Sequence, residues 1–462
     1  MTINKVIDDG YCVGCGACSV ILKDKVNIQI QENGFYKSKL NSSLTNDEKD
    51  SVSRVCPFSD DALNEDELGS ELFTDITINK NSKLGFYSNV YAGKIVDDTL
   101  RINSSSGGLT TWFAEKLFLE GLIDSVIHVT STTGGEFQYT VSTDIESLRN
   151  PDRKKSRYSP VTYSILNEYI LNTDDRVMFI GVPCFVKSIR LLQRELKLTN
   201  IKYVVSLLCG HMKSSGFGEA LAWEGGVKPN ELDSLDFRVK KEGYSANNYF
   251  FRAISKEGRE SVSLNSNLFV SNWGWGFFKH KACDYCDDVA GELADVTFGD
   301  AWLNKYISDS LGTNVIVSRS SVFDSFLKKY SHEIQIEQIS VNDFVSTQGG
   351  NFRHRVDGLP YRCSASKGWV PRKRLYLAEP LNSSQNRKNL YVYREFVSNK
   401  SIEKFLVAKK FNSFILFKIL MLPYILKLDF IDGGARKLIV NQIKVWIPQR
   451  IMRRLMVGKG TR

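Results

Sequence analysis

Residues Val26-Asn27-Ile28-Gln29-Ile30-Gln31 alternate apolar and polar side chains, the period of a strand with one buried face. Glu32-Asn33-Gly34 then turns the chain into Phe35-Tyr36, so a hairpin is predicted inside a short-stranded, cysteine-rich segment spanning residues 1–65. Residues 66–87 are acidic and then polar with little periodicity, and read as a linker. From about residue 88 apolar strands alternate with amphipathic helices. Residues 109–120 carry apolar side chains at helical spacing, residues 122–129 follow as a strand, and residues 176–180 and 203–208 are further buried strands. The pattern predicts an α/β body in two parts, 88–170 and 171–345, preceded by a small α+β segment. Residues 346–462 read as a mostly helical extension. Its most apolar run, residues 411–426, is interrupted by Lys418 and Pro423 and is shorter than the roughly 20 residues a membrane span needs. A helix packed on the body, or one lying in a membrane interface, is expected there.

Charge sharpens the picture of the extension. The chain carries +9 overall, but residues 371–462 hold 20 Lys and Arg against 5 Asp and Glu, and the remaining residues hold 41 against 47. An imbalance of this kind suits an anionic surface, membrane or nucleic acid, and equally a solvated basic tail. Peripheral membrane contact through 371–462 is the expectation carried forward, with no nucleic-acid partner. The first residues show no basic stretch followed by an apolar run, so the chain is expected to be cytoplasmic, either free or peripheral to the inner face of the membrane. Nine cysteines in such a chain point to metal ligation or catalysis rather than to a disulfide framework.

Eight of the nine fall into two sets. Cys12-x2-Cys15-x2-Cys18, with Gly14, Gly16 and Ala17 between, is a run of the ferredoxin type, and Cys56-Pro57 supplies a fourth ligand. Small intervening residues let one loop wrap three irons of a cubane and direct N–H groups at its sulfides. Leu22 stands where a two-cluster ferredoxin would place a further cysteine, which limits this set to one 4Fe–4S cluster. Four cysteines also suit tetrahedral zinc. In the second set, Cys184 follows one predicted strand, Cys209 ends the next, and Cys283-x2-Cys286 lies further on. If those strands are parallel neighbours, both thiols reach one edge of the sheet and the Cys-x2-Cys turn closes over them. Spacing alone leaves open that Cys184 and Cys209 are merely buried small residues.

Taken in order, these landmarks resemble the beta-subunit family of coenzyme F420 hydrogenases and dehydrogenases, including bacterial relatives from polysaccharide-biosynthesis loci, over about residues 5–345. Besides the cysteines they are Ser104-Ser105-Ser106-Gly107-Gly108-Leu109-Thr110 opening a helix, Ser156-Arg157-Tyr158, Gly181-Val182-Pro183-Cys184, and residues 294–302 from Ala294 to Trp302. The resemblance implies an iron–sulfur flavoprotein oxidoreductase whose flavin, of the FAD type, exchanges a hydride with a partner and passes single electrons to two 4Fe–4S clusters. It also implies cluster ligation by the second cysteine set. The extension departs from the family pattern.

A flavin in such a protein converts two-electron hydride chemistry to one-electron cluster chemistry. Ser104, Ser105, Ser106, Gly107 and Gly108 before a helix are candidates to cradle its phosphates, with Lys154, Lys155 and Arg157 adding charge. Asp295 and Asp300 are candidates for the ring or a ribose hydroxyl. Each has a plainer reading: helix start, solvated face, turn chemistry. Trp273, Trp275, Phe277 and Phe278 could wall a cofactor or simply fill the core, His211 and His280 receive no catalytic role, and Cys363 is a plain thiol. The redox partner is expected to be a donor or acceptor protein, or a deazaflavin- or nicotinamide-type coenzyme. A glycan precursor is the expected substrate. The alternatives are an electron-transfer subunit without its own substrate site, and a zinc-stabilised interaction protein.

Overall fold

A computed structural model describes residues 2–41, 43–74, 78–150, 158–374 and 383–446, with side chains described as far as 434. At the N-terminus, α1 (Thr2–Asp8) leads through the cysteine loop into α2 (Ala17–Ile21). The predicted hairpin follows as β1 (Val26–Ile30) and β2 (Tyr36–Leu40), antiparallel with Ile30 opposite Tyr36. Helix α3 (Asn46–Val55) starts on a capping box between Thr45 and Glu48 and stops at Cys56, just before Pro57.

Residues 66–87 are more than the linker their weak periodicity predicts. A helix spans Glu65–Leu72, capped by Asn64 and Glu67, and a short ladder joins Asn79–Asn81 to Gly85–Tyr87. Its signal is a cap plus one buried leucine, Leu68, which is too short a period to stand out.

The body is built on an eight-stranded sheet. In chain order its strands are β3 (Asn89–Ile95), β4 (Ser125–Ser131), β5 (Phe137–Ser142), β6 (Val177–Gly181), β7 (Ile201–Leu207), β8 (Val296–Asp300), β9 (Asn314–Ser318) and β10 (Ile334–Gln338). Their spatial order is β10-β3-β9-β8-β7-β6-β4-β5. The four central strands β8, β7, β6 and β4 are parallel and the flanking pairs antiparallel. Buried on both faces, these strands sort their side chains by a period of two. Val126, Met178, Val205, Val296, Phe298 and Ile316 face one core, under the helix Leu109–Leu119 and the helix Ser321–Lys329. Ile127, Phe179, Val204, Val315 and Val317 face the other, where the N-terminal segment, the helix Pro183–Leu196 and the C-terminal extension all pack. A three-stranded antiparallel sheet, Leu232–Val239, Phe250–Ser255 and Glu260–Leu264, stands beside it.

The extension is helical, as expected, but it begins as part of the core rather than as a tail. Phe352, Val356 and Leu359 are buried in the second core. Trp369 donates to Asp60 (2.9 Å) and accepts from the Tyr11 hydroxyl (3.3 Å), tying the extension to the N-terminal segment. Two long antiparallel helices follow, α4 (Gln385–Lys410) and α5 (Phe414–Trp446), the second broken at Gly433 and Gly434. Among the described residues no helix is long and apolar enough to cross a membrane.

Leu359→Ala should therefore cost about 2–5 kcal/mol, a core-sized loss. Chemical denaturation monitored by circular dichroism checks it; a loss below about 0.5 kcal/mol would mean that the segment is peripheral.

Candidate metal centres

The first cysteine set closes into one site. Cys12 and Cys15 lie on the loop between α1 and α2, Cys18 in the first turn of α2, and Cys56 at the end of α3; all four line a single cavity with Ile3, Val6, Ile28, Pro57 and Phe58. The loop can take this path only with glycine at two positions. Gly14 has φ +66° and a Cβ there would stand 2.4 Å from Tyr36 Cβ; Gly16 has φ +113° and a Cβ would stand 2.8 Å from the Ser164 nitrogen. Backbone N–H groups are directed at the sulfurs: Ser38 and Gly14 at Cys12, Ala17 at Cys15, Ser19 at Cys18 and Phe58 at Cys56. The Ser38 N–H lies 3.4 Å from Cys12 Sγ. Burial pushes all four thiols up, and their mutual charges add to it at Cys15, Cys18 and Cys56.

The second set also comes together, through the parallel pairing of β6 with β7. Cys184 enters the helix Pro183–Leu196 directly after β6, and Cys209 follows β7, so the strand ends deliver both thiols to one edge. The single turn Lys281–Tyr285 carries Cys283, with Cys286 next along the chain. The Cys184 thiol is pushed well up, by burial first and then by Cys286, Cys209 and Cys283, so all four are close enough to feel one another. The Met212 N–H donates to Cys283 Sγ at 3.2 Å.

The two sets are neighbours. Cys184 feels the charge of Cys15. Pro57 and Phe58, directly after Cys56, also wall the cavity lined by Cys184 and Cys286. Four thiols are a donor set that fits a four-iron cluster in each set, but the surroundings differ: the first has apolar walls and N–H groups aimed at its sulfurs, whereas Glu65, Lys187, Asp287, Asp288 and Lys373 line the cavity beside Cys184 and Cys286. The thiols surround a space rather than meet at a point: among the described residues no group of three or more His, Cys, Asp or Glu side chains closes on a single metal ion.

The extension reaches the second set. Arg355 Nη2 stands 2.7 Å from Cys286 Sγ and donates to the Asp288 carbonyl at 2.8 Å, while Nη1 donates to the carbonyls of Cys209 and Gly210. Burial opposes its charge, yet the sulfurs of Cys286, Cys209 and Cys283 favour it and raise its affinity for the proton. Arg362 Nε in turn donates to the Asp284 carbonyl at 2.7 Å, and Arg374 grips Asp287 and Glu292. Arg355 lies more than 60 residues beyond the last cysteine of its set and no spacing in the sequence announces it. Lys213 is a second residue that sequence reasoning passed over. It is buried between the rings of Phe217 (4.7 Å) and Trp273 (4.6 Å), and donates to the Phe277 carbonyl at 2.5 Å.

The proposed cofactor-binding residues are more scattered. Ser104 donates its hydroxyl to the Leu100 carbonyl (2.9 Å) and Ser106 to that of Thr313 (3.0 Å). A Cβ on Gly107 would lie 2.9 Å from the Asn314 nitrogen, and one on Gly108 2.8 Å from Ile95 Cδ1. Ser106, Gly107 and Gly108 thus pack the start of the helix Leu109–Leu119 against β3 and β9, and these observations do not make the run an open phosphate cradle. Asp300 pairs with Arg238 at 2.7 Å, on the ladder position opposite Asn314 and so beside this run. Asp295 sits at the other end of β8, bonded to Arg190 (2.8 Å) and the Val204 N–H (2.7 Å), and shares no site with Asp300. Lys154, Lys155 and Arg157 lie outside the described residues. Of the aromatic residues, Trp273 stacks on His211 at 4.0 Å beside Cys209, whereas Trp275, Phe277 and Phe278 are core. His280 accepts the Ala282 N–H through Nδ1 (3.0 Å), and Cys363 lies apart from both sets, half-buried in the helix Leu359–Ala365.

Comparison with known proteins places these features in context. Residues 90–166 match the family model described as coenzyme F420 hydrogenase/dehydrogenase, beta subunit N-term, and residues 174–343 match its C-terminus, together more than half of the chain. An F(420)H(2) dehydrogenase subunit from Methanosarcina mazei is 24% identical over 335 residues, covering 67% of this chain and 82% of that protein. The coenzyme F420-dependent sulfite reductase of Methanocaldococcus jannaschii is 22% identical over 315 residues, covering 64% of this chain and 43% of that protein. Among solved structures, a chain of the F420-reducing NiFe hydrogenase complex from Methanosarcina barkeri aligns with a TM-score of 0.47 and 14% identity, over 64% of this chain and 98% of that one.

Burial makes the metal-free site sensitive to alkali. Cys209 is pushed up to about 11 and Cys283 to about 12, burial being the first cause of each, from an ordinary thiol value of 9.0. Unfolded thiols ionise first, so this contribution to stability is complete below pH 9.0 and is lost as pH rises through about 11 to 12. The urea midpoint of metal-free protein should fall across that window, and less steeply in Cys209→Ala/Cys283→Ala; an unchanged slope would contradict the burial of neutral thiols.

Proposed function

The chain belongs to the coenzyme F420 hydrogenase/dehydrogenase beta-subunit family, and from that premise we propose that it is an oxidoreductase that carries electrons through two adjacent 4Fe–4S clusters. The observation that carries the reading is the pair of buried four-thiol sets divided by one wall, Pro57 and Phe58. Cys12, Cys15, Cys18 and Cys56 would hold the first cluster, and Cys184, Cys209, Cys283 and Cys286 the second. A bound cluster supplies one-electron transfer at a potential set by charge, hydrogen bonds to sulfur and solvent exposure. This chain's own residues set those terms: apolar walls exclude water from the first site, N–H groups bond its sulfurs, and Arg355 places a fixed positive charge on the second. Similarity to F420-linked dehydrogenase and sulfite reductase proteins supports a redox partner of that kind, the deazaflavin coenzyme or a protein that exchanges electrons with it.

Hydride exchange with such a coenzyme needs a two-electron carrier ahead of the clusters, and FAD is proposed for that part on chemical grounds alone. Because the hydroxyls of Ser104 and Ser106 are spent on backbone carbonyls, no step is assigned to that run. The same observation favours the second reading, an electron-transfer subunit that feeds a partner enzyme. Flavin fluorescence after acid precipitation separates the two, together with reoxidation of reduced protein by a nucleotide- or lipid-linked glycan precursor. Flavin with reoxidation supports an enzyme with its own substrate, and neither supports the subunit. The basic extension, 371–462, would bring this chemistry to a membrane surface.

Anaerobically purified protein should contain about eight iron atoms per chain and a broad brown absorbance, and Cys184→Ser should leave about half. A colourless protein holding zinc would end the redox reading. Arg355→Gln should move the potential of the second cluster to more negative values and leave the first in place, because adding an electron beside a lost cation is less favourable. Potentiometric titration followed by electron paramagnetic resonance reads both, and equal shifts in the two signals would contradict a local effect.

A further inference from the structure

Helix α5 has two apolar faces, and the body covers one of them. Phe417, Met421, Ile425 and Leu428 are buried, with the rings of Phe269, Phe277, Phe278 and Phe405 set around Phe417 at 5.5–6.2 Å. On the opposite side Phe411, at the turn into the helix, is followed at four-residue steps by Ile415, Ile419 and Pro423, all exposed. Phe411 is 71% exposed, Ile415 67% and Ile419 52%, and Phe430 extends the line at 61%. From Ile415 to Phe430 this exposed face runs about 22 Å along the helix. Large apolar side chains exposed in a continuous helical line, rather than singly, mark a contact surface.

Charge says what the surface meets. Lys410 stands exposed at one end of the ridge, next to Lys409, which pairs with Glu219 at 2.6 Å, and Lys427 stands exposed at the other. Beyond them, residues 435–462 hold eight Lys and Arg and no Asp or Glu. The acids nearest in sequence are already partnered: Asp429 is buried and accepts from Trp275 Nε1 (2.9 Å), Asp432 lies 3.9 Å from Arg387 Nη1, and Glu403 pairs with Lys400 and Lys404. Isoleucine and phenylalanine side chains can enter the acyl boundary of a bilayer while the lysines at either end reach the headgroup phosphates. Eight further cations add attraction to anionic lipid. Nothing in this pattern requires the helix to cross the bilayer.

We propose that the ridge Phe411–Ile415–Ile419–Pro423 is a docking surface for an anionic lipid bilayer, the basic segment after it supplying the electrostatic part. This rests on the proposed peripheral contact of the extension and names the surface that makes it.

The test uses the full chain and its Ile415→Glu/Ile419→Glu variant, with vesicles of phosphatidylcholine with and without phosphatidylglycerol. Both substitutions fall on exposed positions, and circular dichroism melting confirms that the variant is folded. The wild type should co-sediment with the phosphatidylglycerol vesicles and much less with phosphatidylcholine alone, and the variant should bind roughly ten-fold more weakly or worse. Equal binding by the folded variant would overturn the ridge and leave contact through the basic segment alone. A wild type that ignores phosphatidylglycerol vesicles would overturn the membrane contact itself. If sedimentation shows a wild-type dimer that the variant turns into a monomer, the ridge meets a second copy of this chain and the proposal is wrong.

Discussion

Four thiols buried close together are tolerable only while they stay neutral or share a metal, and the rest of the structure accommodates that constraint twice over. Desolvation and mutual repulsion both oppose thiolate formation in each set. What offsets them is local and directional. The N-terminal loop points N–H groups at its sulfurs, and the second set has Arg355 held in place by the carbonyls of Cys209, Gly210 and Asp288. A guanidinium fixed by three carbonyls cannot swing away from the sulfur it faces, so its charge is part of the site rather than a surface embellishment.

The sheet is the means of assembly. Parallel pairing of β6 with β7 puts the ends of both strands on one edge, where a helix brings Cys184, the chain leaving β7 brings Cys209, and one turn and the residue after it bring Cys283 and Cys286. Pro57 and Phe58, directly after the last cysteine of the first set, stand between the two sets. The chain segments that close this arrangement are far apart in sequence: the first sixty residues and residues 349–374 meet through Tyr11, Trp369 and Asp60. The extension is therefore a structural member near the thiols and a two-faced surface element further on.

Much of this was legible beforehand. The hairpin over 26–36 and the helix at 109 follow from simple periods, and the central strands from short apolar runs. The Cys12, Cys15, Cys18 and Cys56 set followed from its own spacing. The glycines between those cysteines were legible as well, since a loop that tight leaves no room for a Cβ at Gly14 or Gly16. The helix at Glu65–Leu72 was not, because eight residues with one buried leucine carry no readable period. The surroundings of the Ser104–Gly108 run were not legible either. Its composition suits an anion, but Gly107 and Gly108 pack against Asn314 and Ile95, and the hydroxyls of Ser104 and Ser106 bond backbone carbonyls.

What the sequence by itself determined is whatever depends on neighbours in the chain: most element types, the first cysteine set, and the concentration of positive charge after residue 371. Only the tertiary structure decided which distant residues share a site. Cys184, Cys209, Cys283 and Cys286 became one set through strand pairing, Arg355 joined it from the extension, and Asp295 and Asp300, five residues apart, were sent to opposite ends of one strand. The physical reason is that local propensity acts over a turn or a hairpin, whereas the electrostatics of a buried site are set by groups that only folding brings within a few ångströms.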